Sequence, residues 1–345
     1  MNTVLIGMGM VAQTHILALR DNRAGARLTA VLGRDAARTH AFCAKASETL
    51  GHEVTPLTDM HAVLAQRPAL ALLITPPDAR AVYASALAGA GIPTLMEKPV
   101  ERTLAAAREI VATYADCGVP LGLCFQHRTR AAAIALREQL HSGRLGEVVH
   151  VEARVPWWRD QAYYDAPGRG TYARDGGGVM INQAIHTLDL ALWLAGPVSH
   201  VQALMRTSPL HRMEAEDIAA ALLHFRSGAS GVLTASTAHY PGGAESIAIT
   251  TTKGQALLQG DHLQIDRVDG TSETIAPDSR GGTGGGVDPM AFTHAWHQAV
   301  LEDFVAAVAA GRPPLAPPQE ALHVHAVIDA MECAARTGQM TEVSA

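Results

Sequence analysis

The chain has 345 residues, more than one ordinary hydrophobic core needs, so two domains are the natural expectation. Hydrophobic residues make up 48% and charged residues 17%, a balance that excludes intrinsic disorder. The formal net charge is −6 and no run of Lys or Arg occurs, so nothing in the composition supports nucleic acid or a membrane surface as a partner.

The four cysteines are scattered and form no C-x-x-C pair. This usage favours a reducing compartment over a disulfide framework or a zinc site. No apolar stretch approaches the roughly 20 residues of a membrane span, and the first residues enter a strand pattern without the basic segment of a signal peptide. We therefore expect a cytoplasmic protein.

The first third of the chain alternates short apolar runs with alanine-rich segments. Helix is favoured at residues 79–90 and 104–115. Nearly continuous apolar strands joined by helices form a parallel sheet covered on both faces, so we predict an α/β domain over residues 1–123. The predicted strands are residues 3–6, 28–32, 69–74, 94–96 and 121–125.

From about residue 148 the pattern changes to alternating apolar and polar positions separated by turn residues. This pattern predicts an α+β domain over residues 124–345 with a large, mostly antiparallel open sheet. A glycine cluster at residues 281–286 is expected to form a surface loop. The predicted strands are residues 148–155, 201–205, 219–225, 231–238, 246–252, 256–259 and 262–266, and the predicted helices are residues 178–194, 293–310 and 319–337.

A G-x-G-x-x-A motif follows the first strand directly and begins a helical pattern. Gly7 permits the tight turn, Gly9 lets the backbone approach a pyrophosphate, and Ala12 allows close packing of helix on strand. The amides near Met10 and Val11 then face the phosphates at the helix N-terminus. The motif alone is weak, but its strand–turn–helix context predicts that residues 1–123 are a Rossmann domain that binds NAD or NADP.

The end of the second strand bears on which dinucleotide is bound. NAD sites usually place a carboxylate there, whereas this chain has Gly33-Arg34-Asp35 followed by Arg38. Gly33 leaves room for a phosphate, and the guanidinium of Arg34 can hold it, so we predict that NADP is preferred. The alternative is that both arginines are solvated and that Asp35 still serves NAD.

Glu97-Lys98-Pro99 follows the strand at residues 94–96. Open α/β sheets bind ligands beyond the carboxyl ends of their strands, so Lys98 is a candidate for the cofactor cleft. An ammonium there can polarise a carbonyl, hydrogen-bond a substrate hydroxyl or exchange a proton. A lone lysine before proline is also typical of a surface turn.

Three glycines at residues 176–178 lead into an apolar helical run that carries polar side chains on one face. Asn182, His186 and Asp189 are spaced by four and three residues, so they share that face. His186 is suited to proton exchange near neutral pH, and Asp189 could fix its tautomer. A core histidine bonded to Asp189 is the structural alternative, and no metal site is predicted because Asn is a poor transition-metal ligand.

With these residues in view, the chain resembles the glucose–fructose oxidoreductase / inositol dehydrogenase / rhizopine catabolism (Gfo/Idh/MocA) family over essentially its whole length. The ordered set of motifs is more specific than any one of them. The likeness rests on the glycine motif at residues 7–12, Thr75-Pro76, Glu97-Lys98-Pro99, and residues 146–148, 176–189 and 304–314.

The resemblance implies roles for several of these residues. Thr75, Pro76, Glu97 and Lys98 would line the nicotinamide side, with Lys98-Pro99 as a cis peptide. Lys98 and His186 would work at the reacting carbon. Trp158-Arg159 looks like a pair that some NADP-using members place near the cofactor, and its alternative is a loop aromatic packed on the second domain.

Three positions depart from the family pattern. Asn182 stands where an Asp is frequent, and an amide cannot exchange a proton, so proton transfer falls to His186 or Lys98. Arg80 stands where many members have His. Gln126-His127-Arg128 stands where an Arg-aromatic pair is common. These changes affect the expected substrate more than the reaction type.

The combined hypothesis is an NAD(P)-dependent dehydrogenase or reductase that transfers a hydride between nicotinamide and a sugar, cyclitol or related polyol. Alternatives are a redox-neutral glycoside hydrolase of the same fold and a non-catalytic dinucleotide sensor. We expect a homodimer or homotetramer formed through the C-terminal sheet. The candidate substrate-binding residues are Gln126, Arg159, Tyr163, Tyr164, Asn182 and His186.

Overall fold

The computed structural model describes residues 1–276 and 290–344. The chain forms two compact units: Met1–Gln126 together with Thr293–Leu322, and His127–Phe292 together with His323–Ala345. The predicted division at residues 123 and 124 therefore needs a correction, because residues 293–322 belong to the first unit and not to the second. The glycine cluster at residues 281–286 lies outside the described residues.

The first unit contains a parallel sheet with the strand order β3-β2-β1-β4-β5-β6, the order of a Rossmann fold. The prediction of a parallel α/β sheet is confirmed. Strand β3 was not predicted, because it has only three residues, includes Pro56 and lies at the sheet edge. The strands are β1 (Asn2–Ile6), β2 (Arg27–Leu32), β3 (Thr55–Leu57), β4 (Leu70–Leu73), β5 (Thr94–Glu97) and β6 (Leu121–Cys124).

Side-chain caps define where three helices of this unit begin. Asp35 accepts a hydrogen bond from the amide of Arg38 at the start of the second helix, and Asp59 and Thr103 cap the third and fifth in the same way. The helices are α1 (Ala12–Asp21), α2 (Ala36–Leu50), α3 (Met60–Ala65), α4 (Arg80–Gly89) and α5 (Leu104–Asp116).

Residues 293–322, here called the returning segment, belong to the first unit because they pack on it. Its long helix, Ala295–Ala310, packs on α1 and β6. The ring of Phe304 fills the space over Gly122 in β6, where an added Cβ would lie 2.6 Å from a ring carbon. His294 Nε2 also lies 2.8 Å from Asp21 Oδ2 at the end of α1. The hydrophobic core of the first unit is therefore completed by residues from late in the chain.

The second unit contains a sheet with the strand order β14-β13-β12-β11-β7-β10-β9-β8-β15. Its strands pair antiparallel except β7 with β10, which confirms the predicted mostly antiparallel sheet. Strands β14 and β15 were not predicted. The strands are β7 (Val148–Pro156), β8 (Val198–Arg206), β9 (Ile218–Phe225), β10 (Ser230–Ser236), β11 (Ser246–Thr251), β12 (Gly254–Gln259), β13 (His262–Arg267), β14 (Ser272–Ile275) and β15 (Thr341–Glu342).

One helix of the second unit is buried along most of its length. A π-helical turn, Met180–Ala184, leads into this helix, and the described side chains from Ile185 to Leu194 are all buried. It packs on β7 and on the helix Ala131–His141. The helices, with that of the returning segment, are α6 (Ala131–His141), α7 (Gln161–Asp165), α8 (Tyr172–Asp175), α9 (Ile185–Ala195), α10 (Ala295–Ala310) and α11 (Pro318–Thr337).

Among the described residues, no helix combines the length and the apolar character that crossing a membrane requires.

Replacing Gly122 with Ala should destabilise the first unit, because the new methyl group collides with the Phe304 ring. Overpacking of this kind costs about 1–3 kcal/mol of unfolding free energy. Gly89→Ala is the matched control, since no atom lies within 4 Å of its added Cβ. Urea unfolding should show a lower midpoint for Gly122→Ala alone; equal midpoints for the two variants would contradict the packing described.

Candidate active site

The glycine motif forms the turn between β1 and α1. Gly7 has φ +107°, and a Cβ there would lie 2.9 Å from the amide nitrogen of Thr75, so only glycine fits. A Cβ on Gly9 would meet Ile74 O at 3.8 Å. Helix α1 begins after Val11 without a side-chain cap, and the neighbouring Met10 is exposed. The helix therefore presents amides to an anion, as a pyrophosphate site requires.

Thr75 and Pro76 follow the end of β4, beside that turn. Thr75 is buried, and its hydroxyl oxygen has no hydrogen-bond partner among the described residues. A buried hydroxyl that lacks a partner among the described residues fits a site in which a bound cofactor would supply the missing hydrogen bond. Pro76 is exposed. The first unit thus brings these two predicted cofactor residues next to the glycine motif.

Arg80 is the first residue of α4, and its guanidinium is fully buried. Its Nε donates to Thr75 O at 3.0 Å and Nη2 to Lys98 O at 3.4 Å, while Nη1 donates to Glu97 O. Burial lowers the pKa of Arg80 to about 10, still well above neutral pH. We expected Arg80 to reflect a change of substrate, whereas the structure shows it holding three carbonyls in place.

Glu97 ends β5 with its carboxylate buried in a cluster of polar side chains. His15 Nε2 of α1 lies 2.9 Å from Glu97 Oε1, and His297 Nε2 of α10 lies 3.5 Å from the same oxygen. Burial raises the pKa of the Glu97 carboxyl, but the bonds from both imidazoles outweigh it and hold the pKa well below its usual range. Cys124 completes the cluster, and burial raises the pKa of its thiol.

The donor atoms of His15, Glu97, Cys124 and His297 lie within 4.8 Å of one another, and these residue types can also bind a metal ion. The 2.9 Å contact between imidazole and carboxylate is an ordinary hydrogen bond. We therefore interpret the group as a hydrogen-bonded cluster. Sequence patterns could not identify His15 or His297, because neither stands in a motif with Glu97.

Lys98 follows Glu97 at the carboxyl end of β5. Its amide lies 3.2 Å from Glu97 Oε2, and the Lys98-Pro99 peptide is cis, as the resemblance implied. Its side chain is half-buried. Backbone and carboxylate contacts thus fix the position from which the Lys98 ammonium extends.

The end of β2 carries the residues expected to select the dinucleotide. Side-chain atoms of Met8 and Thr39 occupy the space that a Cβ on Gly33 would need, so the room there is already filled. The carboxylate of Asp35 caps α2. The side chains of Arg34 and Arg38 are exposed, and Arg38 Nη2 donates to Met8 O at 3.1 Å.

In the second unit, the three glycines at residues 176–178, here called the glycine lead, position Asn182. Atoms of Glu216 occupy the space that a Cβ on Gly178 would need, and the Glu216 carboxylate accepts from the amides of Gly178 and Met180 at 3.0 Å. Asn182 Nδ2 donates to Gly177 O at 2.9 Å and to Gly178 O at 3.1 Å. The amide group of Asn182 is thus oriented by its own turn.

His186 is buried and stacks on a second imidazole. The ring centroids of His186 and His127 are 4.8 Å apart, and the two ring planes are inclined to each other by 28°. His127 Nε2 lies 2.6 Å from Arg130 Nη2, and Arg130 pairs with Glu245 at 2.6 Å. A guanidinium only donates, so His127 is neutral with Nε2 as the acceptor. Sequence patterns did not predict this stack, although three basic residues within residues 127–130 were a usable signal.

Asp189 forms a buried, two-pronged ion pair with Arg128. The distances are 2.8 Å from Nε to Oδ2 and 2.5 Å from Nη2 to Oδ1. The role foreseen for Asp189 in fixing the His186 tautomer stays a prediction. The pair also explains how a carboxylate is tolerated within the apolar helix α9.

The remaining candidates differ in their surroundings. Tyr164 is a core residue whose hydroxyl lies 2.6 Å from Thr237 Oγ1. Tyr163 is half-buried, and its hydroxyl accepts from Gln183 Nε2 at 3.4 Å. Gln183 Oε1 is buried without a partner among the described residues, so Gln183 is a candidate that the sequence patterns missed. Trp158 is half-buried, and Arg159 and Gln126 are buried.

Known protein families match residues in both units of the chain. The family "Oxidoreductase family, NAD-binding Rossmann fold" matches residues 1–125, and "GFO/IDH/MocA C-terminal domain" matches residues 133–257. The chain belongs to the Gfo/Idh/MocA oxidoreductase family. The resemblance drawn from the motifs is therefore confirmed, and this Gfo/Idh/MocA chain is an enzyme of the oxidoreductase class.

Curated relatives within the Gfo/Idh/MocA family are named dehydrogenases. A D-apiose dehydrogenase of Paraburkholderia graminis is 28% identical, covering 98% of this chain and 88% of the relative. An inositol 2-dehydrogenase of Rhizobium meliloti is 26% identical, covering 79% of this chain and 80% of the relative. A solved WlbA dehydrogenase from Bordetella pertussis, in complex with NADH and UDP-GlcNAcA, is 27% identical with a TM-score of 0.83 and covers 100% of this chain and 99% of that one.

Proposed function

We propose that this protein transfers a hydride reversibly between a nicotinamide dinucleotide and a carbinol carbon of a sugar, cyclitol or related polyol. The observation that carries the proposal is the edge of the first sheet, where the glycine turn, the orphaned Thr75 hydroxyl and Lys98 occur at the carboxyl ends of β1, β4 and β5. The names of the relatives, D-apiose and inositol dehydrogenases, support the substrate class.

Different side chains of the protein have different roles at the substrate. Lys98 holds and polarises the substrate oxygen, and His186 takes the hydroxyl proton during oxidation and returns it during reduction. Asn182, with an amide that cannot exchange a proton, orients substrate hydroxyls together with Tyr163, Arg159 and Gln126. A bound nicotinamide supplies the hydride acceptor or donor. Trp158 and Glu97 contribute to the cofactor side.

We propose NADP as the preferred dinucleotide. Asp35 is engaged in capping α2, whereas Arg34 and Arg38 present exposed guanidinium groups near the end of β2. A 2′-phosphate pairs well with such groups. The WlbA dehydrogenase binds NADH, which favours NAD as the alternative dinucleotide. Every assay therefore compares NAD with NADP.

Lys98→Ala should lower turnover by about 100-fold or more, because the group that polarises the substrate oxygen is lost. The assay is dehydrogenation of a panel of cyclitols, aldoses and dihydrodiols with NAD and NADP in parallel. Lys253→Ala is the matched control, since Lys253 lies in the turn between β11 and β12. Dinucleotide affinity should change little in either variant, and full turnover by Lys98→Ala would remove Lys98 from the reaction.

The same panel separates the alternative functions. Release of nitrophenol from a nitrophenyl sugar without net change in NADPH indicates a redox-neutral glycoside hydrolase. Tight NADPH binding with no turnover on any compound indicates a dinucleotide sensor.

Arg34→Ala should weaken NADPH binding by about tenfold or more, because a charge-assisted contact to the 2′-phosphate is lost. NADH binding should be nearly unchanged, since NADH lacks that phosphate. Fluorescence titration of both dinucleotides measures the two dissociation constants. Tighter binding of NADH than of NADPH by the unaltered protein would contradict the proposed preference.

We propose that the protein is a homodimer or homotetramer that associates through the sheet of the second unit. The strand register runs one cross-strand row through Leu222, Val232, Glu152, Ala248 and Leu257, and Leu204 lies on the same face. Leu204, Leu222 and Leu257 are exposed at 56%, 49% and 39%. Exposed leucines on one sheet face are typical of an association surface.

Leu222→Glu should weaken association by about tenfold or more, because a charge would be buried in the contact. Leu210→Glu, at an exposed position outside the strands, is the matched control and should leave association unchanged. Sedimentation equilibrium gives the constants. A monomeric unaltered protein would refute the proposal.

A cytoplasmic location also remains our proposal; the four cysteines are free thiols, as a reducing compartment favours.

A further inference from the structure

Two adjacent acidic residues, Glu216 and Asp217, lie directly before β9 in the second unit. Both are buried, with 4% of Glu216 and 0% of Asp217 exposed. A buried carboxylate is costly unless its oxygens accept hydrogen bonds. The partners of these two carboxylates therefore show which parts of the unit each residue holds in place.

The side chain of Glu216 holds the glycine lead. Its Oε2 accepts from the amide of Gly178 and its Oε1 from the amide of Met180, each at 3.0 Å. The backbone carbonyl of Glu216 accepts from the amide of Val179 at 2.8 Å. Three consecutive amides are thus bonded to one residue. Because Met180 begins the π-helical turn that leads into α9, Glu216 fixes the start of the segment that carries His186.

The side chain of Asp217 is linked to the backbone of Arg159 through His211. Asp217 Oδ1 accepts from the amide of Ser208 at 2.7 Å, and Oδ2 accepts from Ser208 Oγ at 2.6 Å. His211 Nδ1 lies 2.7 Å from Asp217 Oδ2, and His211 Nε2 lies 2.9 Å from Arg159 O. A carboxylate and a carbonyl both accept hydrogen bonds, so the ring of His211 is placed to donate to both and to link them.

A second chain of hydrogen bonds joins Asp217 to the same backbone. The amide of Thr237 donates to Asp217 O at 2.9 Å, and the amide of Arg159 donates to Thr237 O at 2.8 Å. The amide and the carbonyl of Arg159 are therefore both engaged, and both connections lead to Asp217. The placement of the Arg159 segment consequently depends on this one residue.

We propose that Glu216 and Asp217 are positioning residues that together set the distance between the proton-transfer group and a substrate-orienting group. This inference rests on the proposed function, in which His186 exchanges the substrate proton and Arg159 orients substrate hydroxyls. Consecutive Cα atoms are about 3.8 Å apart whatever side chains they carry. Two segments that are bonded to consecutive residues are therefore held in a fixed register, although they are far apart in sequence.

Glu216→Gln keeps the shape of the side chain but replaces one accepting oxygen with a donating NH2 group, so two backbone amides can no longer both be accepted. The turnover number kcat should fall by about tenfold or more, because the helix that carries His186 then begins from a displaced turn. Glu138→Gln, at an exposed position of α6, is the matched control and should keep the kcat of the unaltered protein. An unchanged kcat in folded Glu216→Gln would overturn the proposal.

Asp217→Asn should act on substrate binding instead. With one accepting oxygen replaced by an NH2 group, the amide of Ser208 and the ring of His211 can no longer both be satisfied. The KM for the substrate should rise by about tenfold or more, with a smaller change in kcat, because Arg159 only orients the substrate. Asp269→Asn, in the exposed turn between β13 and β14, is the matched control. Equal KM values for the two variants would contradict the role of Asp217.

Amide hydrogen exchange tests the same bonds in the unaltered protein, so the result does not depend on whether a variant folds. The amides of Gly178, Met180 and Ser208 should be protected, since each is bonded to a buried carboxylate. In Glu216→Gln, the amide of Gly178 or Met180 should exchange about tenfold faster, while that of Ser208 stays protected. Unprotected amides at these three positions in the unaltered protein would also overturn the proposal.

The failure of this inference and the failure of the proposed function give different results. Full activity of Lys98→Ala refutes the proposed function. An inactive Lys98→Ala, combined with unchanged kcat and KM in Glu216→Gln and Asp217→Asn, refutes only the positioning role of the two carboxylates.

Discussion

The hydrogen bonds around Glu97 and Arg80 are the constraint on which the proposed active-site edge of the first unit depends. Arg80 donates to the carbonyls of Thr75, Glu97 and Lys98, and the Glu97 carboxylate is contacted by imidazoles from α1 and α10. A buried carboxylate or guanidinium is costly unless it is fully paired. The requirement to pair these two groups therefore fixes the backbone of Thr75 and Lys98, the residues that would face the cofactor.

The second unit applies the same principle to a different set of charges. Arg128 pairs with Asp189, and Arg130 pairs with Glu245 and contacts His127. Each of these groups is buried, so each charge limits the orientation of its partner. The result is a rigid neutral ring stacked on His186, which gives the proposed acid–base residue a defined plane. Rigid support of this kind is what a proton-transfer group needs to meet its substrate at hydrogen-bond distance.

Much of the fold could be predicted because its signals are local. The glycine turn, the apolar strands and the alternating strands of the second sheet are patterns within about ten residues of sequence. Strand β3 carried too few residues to be recognised. The roles of Arg80, His15 and His297 could not be predicted, because they depend on contacts between residues far apart in sequence. Asn182 was recognised as a departure from the family pattern, yet only the three-dimensional structure shows that its amide donates to the carbonyls of Gly177 and Gly178.

The return of residues 293–322 to the first unit has a consequence for biosynthesis. Phe304 and His297 complete a core whose strands are all made within the first 124 residues. While the ribosome is still adding the second unit, Gly122 lacks its aromatic cover and Glu97 lacks one of its imidazoles. The dinucleotide-binding half therefore lacks part of its core until residues 293–322 have been synthesised.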